Sequence, residues 1–320
     1  MGNGADLPFT SRAFQKSLAV LGQGQRAYRS VLVIMISLLL SRAVMPAEAL
    51  PAFSHIFLII MENREADTVI GSPEAPFLAS LASRFAFASR YYAVAHPSLP
   101  NYLALTGGDT FGIATDCTNC PIDAPNLVDQ LEEHHKTWSA YLEGFPGACS
   151  SAISADGYAK KHNPFMYYTD IAGNPSRCMR VVSLDLLHQD LAQDSVADFV
   201  WITPSLCHSM HDCSTQEGDR WLGFIVPQVL ASPAWKERGV LFIVWDEGTT
   251  RAGCCGHSGG GRVALLAISP LSRRGYRDDT GADHYALLRT IEDAWSLGHL
   301  RRAGDARTPV LRDLFDGSMR

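Results

Sequence analysis

The 320-residue sequence has no internal repeat and no compositionally biased tract. It also lacks an apolar run long enough to cross a bilayer comfortably. The run "VLVIMISLLL" at 31–40 is ten residues with one serine among them. Positive charge is in short supply, with 27 Lys and Arg against 33 Asp and Glu. That balance disfavours a surface for nucleic-acid polymers, so none is expected as a partner. Only one C-x-x-C pair occurs, "CTNC" at 117–120, and the second pair that a four-cysteine zinc site needs is missing. No "CxPxR" or "SxPxR" segment is present, which removes the modified nucleophile of sulfatases.

What is there begins with the first fifty residues. Arg26 and Arg29 precede the 31–40 run, and the small-residue stretch "MPAEALP" follows it. That order reads as an export signal over residues 1–49, with a retained membrane anchor as the competing reading. Removal of residues 1–49 takes away five basic and two acidic residues, leaving 22 and 31 and a net charge of −9. An anionic substrate would then need local positive charge, and a metal ion is one source. All eight cysteines lie beyond residue 49. An even number in an oxidising compartment points to disulfides. A local Cys207–Cys213 bridge is expected. The adjacent Cys254 and Cys255 are expected to find other partners. The protein is therefore read as secreted or periplasmic, with no stable membrane partner once the signal is gone.

Apolar strand candidates recur as "HIFLIIM" (55–61), "ADFVWIT" (197–203), "GVLFIVW" (239–245) and "RVALLAIS" (262–269). Helical periods occupy "PNLVDQLEEHHKTW", "DRWLGFIVPQVLAS" and "HYALLRTIEDAW". Buried strands alternating with helices predict an α/β fold, a three-layer α/β/α sandwich with a mostly parallel central sheet. Residues 50–320 read as a single domain. A loop-rich insertion at about 149–182, rich in Tyr, Asn, Gly and Pro, could cover a site.

Two of the apolar runs end in oxygen-bearing residues, Glu62 and Asn63 after the first and Asp246 and Glu247 after the third. Open α/β sheets place ligands at the carboxyl ends of their strands, and several oxygens there suit a hard divalent cation. The competing reading is that both pairs only open solvated loops. Between them lies "HPSLPNYLALTGG" at 96–108, where Ser98 enters a helical pattern. A serine there is an N-cap, or a nucleophile facing an anion-binding helix terminus and activated by a cation. His162 in "KHNPF", His211 beside Asp212, and His257 in "CCGHSGGGR" complete the inventory as structural histidines or acid-base groups.

Together "IFLIIMENR", "HPSLPNYLALTGG", "KHNPF", "ITPSLCHSMHDCS", "GDRWL", "FIVWDEG" and "HYALLRTIEDAW" resemble the bacterial phosphoesterase family of acid phosphatases and phospholipases C. That family lies within the alkaline-phosphatase-like superfamily, and the likeness spans residues 54–316. "SLPN" followed by "TG" also looks like the nucleophile segment of nucleotide pyrophosphatases. The resemblance implies a divalent metal, identity open among Mg, Ca, Mn, Zn and Fe, held by Glu62, Asn63, Ser98, Asp246 and Glu247. It implies Ser98 as nucleophile, Asn63, His96, Asn101 and His162 against a small phosphate-ester substrate, and His211 and His257 as catalytic groups. His284 also matches a family position. Ser205 and Ser209 depart from the family pattern, which usually shows Asn and Asp there. The implied activity is a phosphoric monoester hydrolase acting through a phosphoserine. The alternatives are a phospholipase C-type phosphodiesterase and a weakened phosphate-ester-binding protein.

Overall fold

Every side chain of β1 (Ile56–Met61) and of β8 (Val240–Trp245) is buried, as strands covered on both faces require. A computed structural model describes residues 49–256 and 259–316. The export-signal reading therefore lies, but for Ala49, outside the described residues. Eleven strands occur among them. The remaining ones are β2 (Ala86–Tyr92), β3 (Trp138–Leu142), β4 (Ser154–Ala155), β5 (Tyr158–Ala159), β6 (Val181–Ser183), β7 (Phe199–Thr203), β9 (Arg262–Ile268), β10 (Arg277–Asp278) and β11 (Ala282–Asp283). Nine form one sheet in the order β10-β2-β9-β8-β1-β7-β3-β6, with β11 also on β2. Only β9 runs against the others. The expected mostly parallel α/β sheet is what the chain builds.

Six helices of seven residues or more accompany the sheet: α1 (Pro76–Arg84), α2 (Ser98–Gly107), α3 (Leu127–Glu133), α4 (Asp185–Ala192), α5 (Thr215–Ala231) and α6 (His284–Trp295). Helix α1 packs on α5, and α2 packs on α6. Asp219 of "GDRWL" joins the first pair, its carboxylate accepting the Phe77 and Leu78 amides at 3.0 and 2.8 Å. These are orphan donors of the first turn of α1. No described helix is long and apolar enough to cross a membrane.

Three expectations change. The helical period at 125–138 ends at Glu133, because Thr137 turns onto Asp198 at 2.8 Å and Trp138 opens β3. Within the 149–182 segment, residues 162–168 form a buried wall, whereas most of the rest is partly or fully exposed. His162, Asn163, Phe165, Tyr167 and Tyr168 are all buried, and Phe165 stacks on Trp138. Cys254 and Cys255 bridge each other rather than distant partners. The other pairs are Cys117–Cys120, Cys149–Cys178 and the expected Cys207–Cys213.

Helix α6 carries a pH-sensitive element. Burial pushes the Glu292 carboxyl up to about 8, although its Oε1 accepts the Leu300 amide at 2.8 Å. The folded chain thus holds a proton that the unfolded chain releases near pH 4 to 5. Stability contributed by this group is complete at low pH and lost as pH rises through 8. Urea unfolding at pH 5 and pH 9 should show a loss larger, by on the order of 1–3 kcal/mol, in the parent than in Glu292→Gln. Equal losses in the two proteins would refute the assignment.

Candidate active site

The site forms because β1 and β8 are neighbours in register, Met61 opposite Trp245. Both strands therefore deliver their polar pairs at the same point of the sheet's carboxyl edge. Glu62 and Asp246 are fully buried, and Glu247 nearly so. Asn63 adopts a left-handed backbone, φ 53°, which asparagine tolerates better than most residues. That turn aims the Asn63 amide at Asp246 Oδ1, 3.3 Å away, and the Glu247 amide donates to the same oxygen at 2.6 Å. Asp246 Oδ2 is buried without a partner.

Helix α2 brings Ser98 to this cluster. Its Oγ lies 3.2 Å from Glu62 Oε2 and 3.2 Å from Glu247 Oε1. A hydroxyl has one proton and can donate to only one of them, so the other pair of oxygens faces without a hydrogen between. Tyr102, four residues on and hence on the same helix face, donates its hydroxyl to Glu62 Oε1. His162 Nε2 sits 3.2 Å from that oxygen but has no hydrogen-bond partner, its ring stacked on Tyr102.

Electrostatics follow from this crowding. Burial first, and the Asp246 charge second, raise the Glu62 carboxyl well above its usual range. Burial and the Glu247 charge push Asp246 up to about 7. Burial also raises Glu247, although the bond from His96 opposes it. Burial, then Lys161 and His211, hold His162 well below the ordinary imidazole range. Carboxylates that resist ionisation together, with an orphaned oxygen and an orphaned imidazole nitrogen aimed among them, suit a cation. Ligand atoms of Glu62, His162 and His211 also lie within 4.8 Å of one another. The oxygen-rich donor set, with imidazoles at its border, fits a divalent metal.

A second ring of residues fixes the first. Glu247 Oε2 bonds His96 Nδ1, and His96 Nε2 donates to Thr250 O at 2.8 Å. The loop carrying Glu247 and Thr250 is held by Glu65. That carboxylate accepts the Thr249, Thr250 and Arg262 amides at 3.0, 2.9 and 3.1 Å. Gly248 is needed for this approach, since a Cβ there would come within 2.3 Å of Glu65 Oε1. His284 Nε2 donates to Asp246 O at 2.6 Å while its Nδ1 accepts from Tyr91 at 3.0 Å, and burial pushes its ring down to about 4. His211 Nδ1 bonds Asp212 at 2.6 Å, in the loop closed by Cys207–Cys213. Ser209 contributes its carbonyl, which accepts the Glu62 amide at 2.9 Å.

The structure thus gathers Glu62, Asn63, Ser98, Asp246 and Glu247, with His96, His162 and His211 around them. Asn101 is different. Its Oδ1 accepts the Val94 and Ala95 amides, and its Nδ2 donates to Ala95 O and Pro97 O. With both ends so engaged it shapes the loop that carries His96, and the expected substrate contact finds no free donor there. His257 lies outside the described residues. Tyr102, Asp116, Lys161 and Glu65 escaped the sequence reading. Tyr102 had a signal in its i+4 spacing from Ser98, and Lys161 in its place beside His162. Asp116 and Glu65 had none.

Comparison with known proteins fits this geometry. A solved protein of the alkaline phosphatase superfamily from Vibrio parahaemolyticus superposes with a TM-score of 0.54 at 13% identity, over 81% of this chain and 71% of that one. Murine ectonucleotide pyrophosphatase/phosphodiesterase 5, solved as an inactive variant with AMP, gives 0.54 at 10% identity, over 82% of this chain and all of its own. The phosphatidylinositol-3-phosphatase of Mycobacterium tuberculosis is 30% identical over 304 residues, 91% of this chain and 95% of that protein. The probable acid phosphatase of Kluyveromyces lactis is 29% identical over 264 residues, 80% of this chain but 61% of its own length. The chain thus spans about three fifths of that yeast relative and nearly all of the mycobacterial one. The Phosphoesterase family model matches residues 72–298, most of the described chain and every site segment except the one that carries Glu62, Asn63 and Glu65, and the protein belongs to that family.

Proposed function

We propose that this protein is an exported, metal-dependent phosphoric monoester hydrolase of acid-phosphatase type that works through a phosphoserine at Ser98. The observation that carries the reading is the Ser98 hydroxyl, 3.2 Å from two carboxylates of a buried acidic cluster that has an orphaned oxygen. Glu62, Asn63, Asp246 and Glu247 would hold the metal, with Ser98 beside it. Bound there, the ion would offset negative charge and favour the alkoxide form of the neighbouring hydroxyl. Ser98 Oγ attacks phosphorus, and its proton passes to one of the two carboxylates it faces. The Oγ–P bond forms as the P–O bond to the alcohol breaks. The departing oxygen takes a proton from a histidine, either His211 as oriented by Asp212 or, by the family resemblance alone, His257. Water then attacks the phosphoserine, gives a proton back to that histidine, and Ser98 recovers its own. Asn63 flanks the phosphoryl group, whereas His96, with both ring nitrogens engaged by Glu247 and Thr250, orients Glu247.

Monoester hydrolysis is favoured over phospholipase C-type diester cleavage because the segment that could have supplied a rim for a diacylglycerol group does not. The side chains of "NPFMYY" at 163–168 are all buried in the core. The mycobacterial relative is named for hydrolysis of a phosphoinositide, itself a monoester at the reacting phosphate. Hydrolysis of 4-nitrophenyl phosphate, bis(4-nitrophenyl) phosphate and phosphatidylcholine should be compared before and after chelation. Monoester turnover that vanishes with chelator and returns with one of Mg, Ca, Mn, Zn or Fe is expected. Absence of turnover with every ion would overturn the reading in favour of a phosphate-ester-binding protein.

A further inference from the structure

The carboxylate cluster has an electrostatic consequence that the metal alone does not resolve. Glu62 and Glu247 flank Ser98, Asp246 sits beside them, and a fourth acid lies against the next residue. Asp116 Oδ1 accepts the Leu99 amide at 3.0 Å, directly after Ser98 in the first turn of α2. Four carboxylates therefore cluster around Ser98 and the first turn of α2. One divalent ion offsets half of that charge. A dianionic substrate needs another fixed positive group.

Lys161 is placed to be that group. Its Nζ lies 3.0 Å from Asp116 Oδ2 and 3.2 Å from His211 Nε2, and the adjacent residue, His162, reaches Glu62. Lys161 is half-buried, with side-chain exposure of 22%, so its charge is less screened than a surface lysine's. Glu62 and Asp246 act on it from within the site as Asp116 does from the rim. Asp212 takes the His211 Nδ1 hydrogen, which leaves the Nε2 lone pair to accept from Lys161. An ammonium has three N–H donors, and Asp116 and His211 occupy two. The third remains for a ligand.

We propose that Lys161, aligned by Asp116, binds a non-bridging oxygen of the substrate and sets the preference for dianionic monoesters over monoanionic diesters. The proposal deepens the phosphomonoesterase reading and rests on it. Turning toward the phosphoryl group draws Lys161 away from His211 Nε2, whose lone pair then takes up from solvent the proton that it gives to the leaving oxygen. Coulomb energy scales with the product of the charges. Loss of one fixed positive charge therefore penalises a dianion about twice as much, on a logarithmic scale, as a monoanion.

The test is Lys161→Met, with Lys161→Arg as the charge-preserving control, each loaded with the metal that activates the parent. For Lys161→Met, kcat/KM on 4-nitrophenyl phosphate should fall roughly 100-fold, and on bis(4-nitrophenyl) phosphate only about 10-fold. Lys161→Arg should recover most of the monoester preference. Equal losses on both substrates, or no loss, would overturn the proposal, as would failure of Lys161→Arg to recover the preference in a folded protein. If the parent hydrolyses neither ester, the phosphomonoesterase reading fails on its own, and calorimetric titration with inorganic phosphate decides the lysine's role. Binding that weakens at least about tenfold in Lys161→Met at constant metal content supports it. Unchanged binding, or none in the parent, refutes it.

Discussion

Ser98→Ala should lower phosphomonoester turnover by roughly 10⁴-fold or more while leaving metal content and fold intact. The magnitude reflects what the hydroxyl does. It is the atom that would form the covalent bond to phosphorus, and Tyr102, the other described hydroxyl beside Glu62, is committed to that carboxylate. The substitution removes the unbridged oxygen–oxygen contact together with the one hydrogen bond that Ser98 donates, two changes of opposite sign, so the variant should fold about as well as the parent. Acid quenching during turnover, followed by mass spectrometry, should find a phosphate on Ser98 in the parent and none in the variant. A variant that kept full activity, or a parent phosphorylated on another side chain, would remove Ser98 from the mechanism. Activity lost together with the metal would instead make Ser98 chiefly a ligand.

Much of this arrangement was legible because strands buried on both faces write themselves as continuous apolar runs. The runs ending at Met61 and Trp245 announced two parallel strands, and whatever followed them had to lie on one edge. Their being direct neighbours, in register, was not legible, since strand order depends on contacts between distant segments. Strand β2 was missed because "AFASRYY" mixes small and polar residues, and β6 because three residues carry no period. The wall at 162–168 looked like loop because its buried aromatics follow turns and short 3₁₀ segments rather than a helix or strand period. Charged partners were the hardest to see. Asp116 lies in the irregular "FGIATDC", and only the fold brings it against Leu99 and Lys161. "GHSGG" at 256–260 has the G-x-S-x-G spacing of serine-esterase elbows. It leads into β9, though, rather than from a strand into a helix.

Asp246→Asn should separate the cost of the acidic cluster from the benefit of the ion that neutralises it. In the chelated parent, three buried carboxylates oppose one another. The carboxamide introduced by the substitution would keep the accepting oxygen for the Asn63 and Glu247 amides. It would also place an N–H₂ where Asp246 Oδ2 has no partner, and remove one charge from the set. The chelated variant should therefore melt at a higher temperature than the chelated parent. Adding the activating metal should reverse the order. An ion at 100 times its dissociation constant stabilises the parent by about 2.7 kcal/mol, a rise of roughly 5 °C for a domain of this size. The variant, short of one anionic ligand, should bind at least about 100-fold more weakly and gain little. Differential scanning fluorimetry across a metal titration reads both halves at once. A merely destabilising mutation would lower both midpoints, and a surface ion would stabilise both proteins alike. Only a buried cluster built to hold a cation makes the same substitution stabilising without the ion and destabilising with it.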